Sequence, residues 1–463
     1  MRKMKIYVVA ILIAIFCVNV PVYAKDDVIS SISLVILFND NNINHNVEKY
    51  VLESGGEVIS QLPEIGGLEV KCSPSLIPKI KKDSSVCSIS PSNEIKLNEE
   101  KVMKFNDDVR NNVGKYDLYD KYQWDIKKVT NNGKSFSLES GNHNVIVGII
   151  DTGVNGKHAD LKANFLGGTN FVPKGFKGDL SEMGDPNDIQ DRNGHGTHVA
   201  GAIAANGRIK GVAPNIGFKS YRIFNSQLDT TSTIASKAII KATNDGVKVI
   251  NLSFGGYDLK GKCFFTDPAT NKTYKIGDDV AEYSLYKRAI KYAIDHGVVV
   301  VSSAGNEALD CANKKELGDY LNKINSQKGF RYEGIGYEVP GTIKGVITVS
   351  ATTYNNEIAS YSNYGSKFID IASPGGQLTD IEKFIYTDMC LSTYGDEYAY
   401  LVGTSMAAPK VSAVSALIIC KYGNIGSKQV CKKIYKSAEK VNGNDSSKYF
   451  GHGLVNAYNA LSE

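Results

Sequence analysis

The stretch Gly403-Thr404-Ser405-Met406-Ala407-Ala408-Pro409 leads straight into an apolar run, Val411 to Cys420. A glycine-led turn feeding such a run reads as a helix opening at Thr404–Ser405. A serine at that point has a free hydroxyl, and its backbone N–H is among the unpaired donors of a helix N-terminus. Such donors can hold a developing oxyanion. Taken alone, the turn is more often a simple N-cap. What separates the two readings is whether the chain also supplies a base, an acid to orient it and a second donor.

Working outward, the large region from about Tyr122 to the C-terminus alternates apolar strands with helices. Val145–Ile150, Phe218–Phe224, Val247–Leu252, Val298–Ser302 and Val346–Ser350 read as strands. Gly196–Ala205, Thr231–Asn244 and Val280–Asp295 read as helices, the last closed by His296-Gly297. Near-continuous apolar strands between helices predict a parallel sheet buried on both faces, an α/β fold. In such a sheet the chemistry lies outside the carboxyl ends of the strands. Asp151-Thr152-Gly153, Asn251-Leu252-Ser253-Phe254-Gly255-Gly256 and Ser303-Ala304-Gly305-Asn306 all fall there, and Asn193-Gly194-His195-Gly196-Thr197-His198 opens a helix. With Ser405, the set holds an acid, a base, a nucleophile and an amide donor. Each motif alone is ordinary turn chemistry; four together are not.

The rest of the chain sets bounds. Its 463 residues allow two to three domains, with 42% hydrophobic and 22% charged residues. A net charge of +4 without a basic, aromatic-laced stripe argues against nucleic acid. Arg2, Lys3 and Lys5 precede the apolar run Ile6–Val20 and the small-residue pattern Val22-Tyr23-Ala24, a signal peptide over 1–24. The competing reading is an uncleaved anchor, but the run is short; export without a stable membrane anchor is expected. Residues 25–96 read as βαββαβ, a ferredoxin-like α+β domain, and 97–121 as a polar linker open to proteolysis. Seven cysteines follow the signal, with Cys72–Cys87 and Cys263–Cys311 as possible disulfides in an oxidising compartment.

The motifs around Asp151, His195 and Ser405, in that order, resemble the subtilisin-type serine proteases over residues 122–463. The resemblance implies Ser405 as nucleophile, His195 as base, Asp151 as its orienting acid and the Asn306 side chain as oxyanion donor; His198 reads as a packed helix residue. It implies substrate binding along Ser253, Phe254, Gly255 and Gly305, and makes residues 25–96 an inhibitory, folding-assisting propeptide. Gln123-Trp124-Asp125-Ile126-Lys127-Lys128-Val129-Thr130, Gly167 to Phe171, Ser360 to Tyr364 and Tyr449 to Leu461 are similar to the lantibiotic leader peptidases, exported subtilisins that cut a peptide precursor after a basic residue. That subgroup implies an acid for P1, the substrate residue before the scissile bond, with Glu307 first and Asp310 second; Glu307 as a solvated loop charge is the bland alternative. No cofactor is needed for the chemistry. Asp160 matches a calcium ligand of many subtilisins, but the facing loop Asn206–Lys210 is short and cationic, which argues against the usual site. The acidic loop Glu182, Asp185, Asp188, Asp191 lacks ordered ligand spacing. A broad exported protease and an inactive binding protein on the same fold are the alternatives; the insertions at 257–277 and 307–340 favour a narrow cleft.

Overall fold

The apolar runs form one seven-stranded parallel sheet in the order Ile371–Pro374, Val346–Thr352, Val299–Ser303, Val249–Leu252, Ile146–Asp151, Gly217–Arg222, Phe165–Asn170. The computed structural model describes residues 30–97, 102–105, 117–278, 280–378, 388–441, 443 and 446–462. The signal-peptide segment lies outside the described residues. Successive strand residues point to opposite faces, and both faces are covered. Val147, Ile149, Val249 and Val301 pack with helices His195–Ala204 and Thr404–Tyr422. Ile150, Ile250 and Val300 pack with Ser232–Asn244 and Ala281–Asp295. Double burial is why these strands read as continuous apolar runs.

The N-terminal region forms the expected α+β domain. Its strands Glu57–Leu62, Gly67–Cys72, Ile32–Phe38 and Val86–Pro91 stand in that spatial order, with antiparallel pairings, and His45–Glu53 and Ile77–Lys82 are its helices. Leu34, Ile36, Val47, Val51, Val70 and Ile80 make its core. That core is continuous with Leu259, Phe265, Ile276 and Tyr332, which belong to a three-stranded antiparallel sheet built from the insertions: Gly256–Thr266, Thr273–Gly277 and Phe330–Val339. Arg288 locks the other contact, donating to the Ile65 and Phe38 carbonyls at 2.8 Å each.

Two expectations are corrected. Every cysteine among the described residues is a free thiol. Cys72 and Cys87 lie on strands separated by Ile32–Phe38; Cys72 is buried and Cys87 exposed. Cys263 packs in the N-terminal core while Cys311 sits in a separate cluster with Ala304 and Leu317. The linker, moreover, is partly built in. Leu97 N donates to Leu228 O at 3.0 Å, and Met103–Lys104 pair with the strand Glu397–Leu401. The large domain's core already includes Leu118 and Tyr119, ahead of the expected start at 122; residues 98–101 and 106–116 lie outside the described residues.

Candidate active site

The serine helix starts where its sequence says. Ser405 is the second residue of Thr404–Tyr422, and Pro409 sits inside it. Proline has no N–H, so the Ser405 carbonyl loses its i+4 donor. The Ser253 hydroxyl replaces it, donating to Ser405 O at 3.0 Å. Ser253 is held in turn by Asn251 Nδ2 at 2.9 Å, and Asn251 Oδ1 accepts from Ser412 of the same helix at 2.8 Å. The Ser405 hydroxyl itself donates to Ser253 O at 2.9 Å. Proline and the Asn-x-Ser segment thus form one device that fixes the start of the helix to the sheet.

His195 opens the neighbouring helix. Its Nδ1 meets Asp151 Oδ1 at 2.6 Å, with His195 3% and Asp151 1% exposed at the side chain. Asp151 Oδ1 also accepts from Thr152 N at 2.7 Å, which fixes the carboxylate. Gly196 allows the approach, because a Cβ there would stand 2.1 Å from Gly153 O. Asp191 caps this helix, accepting from Gly194 N, Thr197 N and Thr197 Oγ1 at 2.7, 2.8 and 2.6 Å. The second histidine is structural: His198 Nε2 donates to the Cys390 and Ala399 carbonyls at 3.1 and 3.2 Å. Burial, then the charges of Lys410 and His195, push its pKa down to about 3, so it stays neutral.

Asn306 lies three residues past the end of the strand Val299–Ser303, directly after Gly305. Its Oδ1 accepts from Thr404 N and Thr404 Oγ1 at 3.0 and 2.8 Å. That consumes the acceptor end and leaves the Nδ2 donor end for an incoming oxygen. Ser405, Asn306, Ser253, Phe254, Gly255, Gly305 and Glu307 line one cavity. Asp310 does not reach it; it pairs instead with Lys448 at 3.1 Å. Glu307 Oε2 accepts from Tyr257 Oη, from Asn306 N at 2.9 Å and from Asn363 Nδ2 at 3.1 Å. Glu307 is therefore a braced carboxylate rather than a solvated loop charge.

Four residues of this cavity escaped the sequence reading: Lys96, Leu97, Tyr257 and Glu338. Lys96 and Leu97 bring the N-terminal domain into the cleft. Glu94–Lys96 pairs antiparallel with Asp229–Thr231, and Ile95 is buried in the same cluster as Leu228, Ile234 and Phe254.

Asp160 is occupied by the protein. Its Oδ2 accepts from Ile209 N at 3.1 Å and Tyr398 Oη at 3.0 Å, so the short loop has closed onto it. The acidic loop is likewise internally paired: Glu182 with buried Arg222 (Nη1 to Oε2, 2.9 Å), Asp188 with Arg192 at 2.6 Å, and Asp185 with Asn187 N at 2.9 Å. Among the described residues no cluster of three His, Cys, Asp or Glu could hold a metal.

An acid, an imidazole, a hydroxyl at a helix start and an amide donor on this parallel sheet match the subtilase family, peptidase S8, whose profile covers residues 142–453. The chain is a subtilase. It is 34% identical over 424 residues to the epidermin leader peptide-processing serine protease EpiP of Staphylococcus epidermidis, covering 88% of each chain. It is 37% identical over 344 residues to the nisin leader peptide-processing serine protease NisP of Lactococcus lactis subsp. lactis, covering 71% of this subtilase and 48% of that protein. The crystal structure of the epidermin leader peptide processing protease from Staphylococcus aureus superposes with a TM-score of 0.77 at 30% identity, covering 94% of this chain and 98% of that one. The nisin leader peptidase structure gives 0.64 at 33%, covering 75% and 95%. This subtilase is a serine protease.

Proposed function

We propose that this subtilase is an exported endopeptidase that removes the leader from a lantibiotic-type precursor peptide, cutting after a basic P1 residue. The observation that carries the reading is the cavity in which Ser405 and Asn306 share walls with the braced carboxylate of Glu307. Likeness to the epidermin and nisin leader peptide-processing proteases supports the substrate class. Ser405 attacks the scissile carbonyl as His195 takes its proton. Asp151 holds the imidazole and stabilises its charged form, and the Asn306 amide with the Ser405 N–H receives the oxyanion. His195 then protonates the leaving amine, and water repeats the sequence on the acyl-enzyme. None of these steps calls for a metal or cofactor.

Residues 25–96 act as a propeptide. The support is the strand Glu94–Lys96 laid along Asp229–Thr231 with Leu97 against the serine cavity, a backbone-paired occupation of the path a substrate would take. Cutting within 97–121 releases it. Export rests on the residues 1–24 pattern; no helix among the described residues is long and apolar enough to cross a membrane.

Cleavage profiling tests the reading. The secreted protein, with its intact mass recorded, is incubated with a diverse peptide library and new termini are read by mass spectrometry. Cuts confined to Arg or Lys at P1 are expected. Broad cutting after apolar residues would replace the reading with that of a degradative protease. Asn306→Ala is expected to lower kcat by about 10²- to 10³-fold with KM little changed, because the oxyanion exists only beyond the ground state. A comparable rise in KM at constant kcat would place Asn306 in ground-state binding instead.

A further inference from the structure

The helix Ser427–Ser437 buries Val430 and Ile434 in the core that holds the serine helix, and it exposes Lys428, Lys432 and Lys436, each four residues after the last. Lysines at that spacing repel and weaken a helix, and Lys428 stands in the first turn, the unfavourable end for a cation. Other exposed helical lysines of this chain avoid the cost. Lys49, Lys241, Lys291 and Lys315 each pair with an acid four residues on. Ser427–Ser437 contains no acid, and among the described residues no ion pair reaches Lys428 or Lys432. Over 421–440 six lysines meet one acid, Glu439, so this span carries more net charge than the +4 of the whole chain. Glu439 is already bonded by Asn456 Nδ2. The Tyr435 hydroxyl bonds Asp370, which directly precedes the strand Ile371–Pro374. The helix therefore sits at the amino edge of the sheet, opposite the edge that carries the chemistry. Lys421, sixteen residues after Ser405 in the same helix, is about 24 Å from it along the axis.

We propose that this lysine ridge is a docking surface for an anionic membrane: it holds the enzyme reversibly against the phosphate headgroups of acidic lipids, at the end of the molecule away from the cleft. Clusters of about four to eight basic residues on an amphipathic helix are enough for an anionic leaflet. The apolar side of Ser427–Ser437 is occupied by the core, so nothing inserts and the attraction is purely electrostatic and screened by salt. Lysines in line along a convex helix meet a plane of charges. A linear polyanion is held instead by a groove with open aromatic rings, and the rings here are covered: Tyr422 lies under Lys433, 3.8 Å from Nζ to the centroid, and Tyr435 stacks on His452. Lys421 and Lys440 flank the ridge, each with its ammonium on one backbone carbonyl, of Leu461 and of His452; those bonds leave the charge in place. The ridge is independent of the leader-peptide reading, and either can fail while the other stands.

The test is co-sedimentation with large vesicles of phosphatidylcholine alone, or of phosphatidylcholine and phosphatidylglycerol in equal parts. The exported protein is used, its intact mass showing that the apolar segment 1–24 is gone. Binding to the phosphatidylglycerol vesicles alone is expected, weakening as salt rises. Lys428→Gln with Lys432→Gln is expected to lower that binding by about 25-fold, about fivefold for each lysine removed from an anionic surface. Lys428→Arg with Lys432→Arg should keep the parent's binding. Lys291→Gln with Lys315→Gln removes the same charge from acid-paired lysines elsewhere and should change binding by less than about twofold. Turnover of a short soluble peptide without vesicles should be the same in all four proteins, which shows that each is folded. Equal losses in the two glutamine pairs would make the attraction one of overall charge and overturn the proposal. So would binding that survives Lys428→Gln with Lys432→Gln, equal binding to both kinds of vesicle, or none to either at low salt. Capture by soluble polyphosphate in preference to the phosphatidylglycerol vesicles would overturn it in favour of a linear polyanion.

Discussion

Ser405→Ala is expected to reduce peptide turnover by about 10⁶-fold, the scale on which this triad type depends on its nucleophile. The fold is expected to persist. The substitution removes one hydroxyl, whose hydrogen bond goes to the Ser253 carbonyl, a loss of about 1 kcal/mol. The helix start remains tied through the Ser253 hydroxyl to the Ser405 carbonyl, which alanine also possesses. His195→Ala should cost about as much, and the double variant no more than either single one, because nucleophile and base act as a unit. The chain should also remain uncut between 97 and 121 if the enzyme releases its own N-terminal domain. Steady-state turnover, intact mass and a thermal unfolding curve read the three expectations separately. Turnover surviving in Ser405→Ala would remove Ser405 from the chemistry, and a folded but inactive parent protein would revive the binding-protein alternative.

What was legible in the sequence followed from patterns that pay little heed to distant partners. A doubly buried parallel strand must be apolar throughout, so Ile146–Asp151 and Val249–Leu252 announce themselves. Turn residues at strand ends pointed to Asp151 and Asn306, and a glycine-led helix start to Ser405. The insertion sheet was not legible. Gly256–Thr266 and Phe330–Val339 mix lysines, glycines and acids among their apolar residues, and their cover comes from two sources, the helix Lys314–Asn325 between them and a domain hundreds of residues earlier in the chain. Glu338 was hidden for the same reason: nothing local ties an acid beside Val339 to a serine at 405. A signal did exist for a different residue. Lys410 directly precedes the apolar run of a buried helix, and a cation there requires a partner elsewhere. The Gln123-Trp124-Asp125 motif supplies it, which turns a family signature into a physical one. Gln123 and Trp124 bond the Leu391 and Met389 carbonyls at 3.2 and 2.9 Å, and Asp125 reaches Lys410.

Asp125→Ala is expected to destabilise the protein by about 3–5 kcal/mol, the cost of stranding one member of a buried ion pair. Lys410 Nζ lies 2.8 Å from Asp125 Oδ2, with side-chain exposures of 0% and 2%. The ammonium also donates to the Pro374 and Met406 carbonyls at 2.9 Å each. These bonds hold the helix one residue beyond Ser405, so activity should fall with stability. Burial alone lowers the Lys410 pKa; the Asp125 carboxylate and then Cys390 outweigh it, and the group titrates above its ordinary value. A raised folded pKa stabilises below the unfolded value of about 10.4 and loses that contribution only as pH rises through the folded one. The variant reverses the sign. Without Asp125, burial dominates and the folded state favours neutral lysine, so the unfolded state binds the extra proton. Stability of Asp125→Ala should then rise from pH 7 towards pH 10, narrowing its gap to the parent. Urea midpoints at unchanged slope measure both effects. The double variant Asp125→Leu, Lys410→Met should recover most of the loss, since a packed apolar pair often matches a buried ionic one. A loss below about 1 kcal/mol in Asp125→Ala, flat with pH, would mean that Lys410 is satisfied by its carbonyls alone and that Asp125 is not its counter-ion in the folded protein.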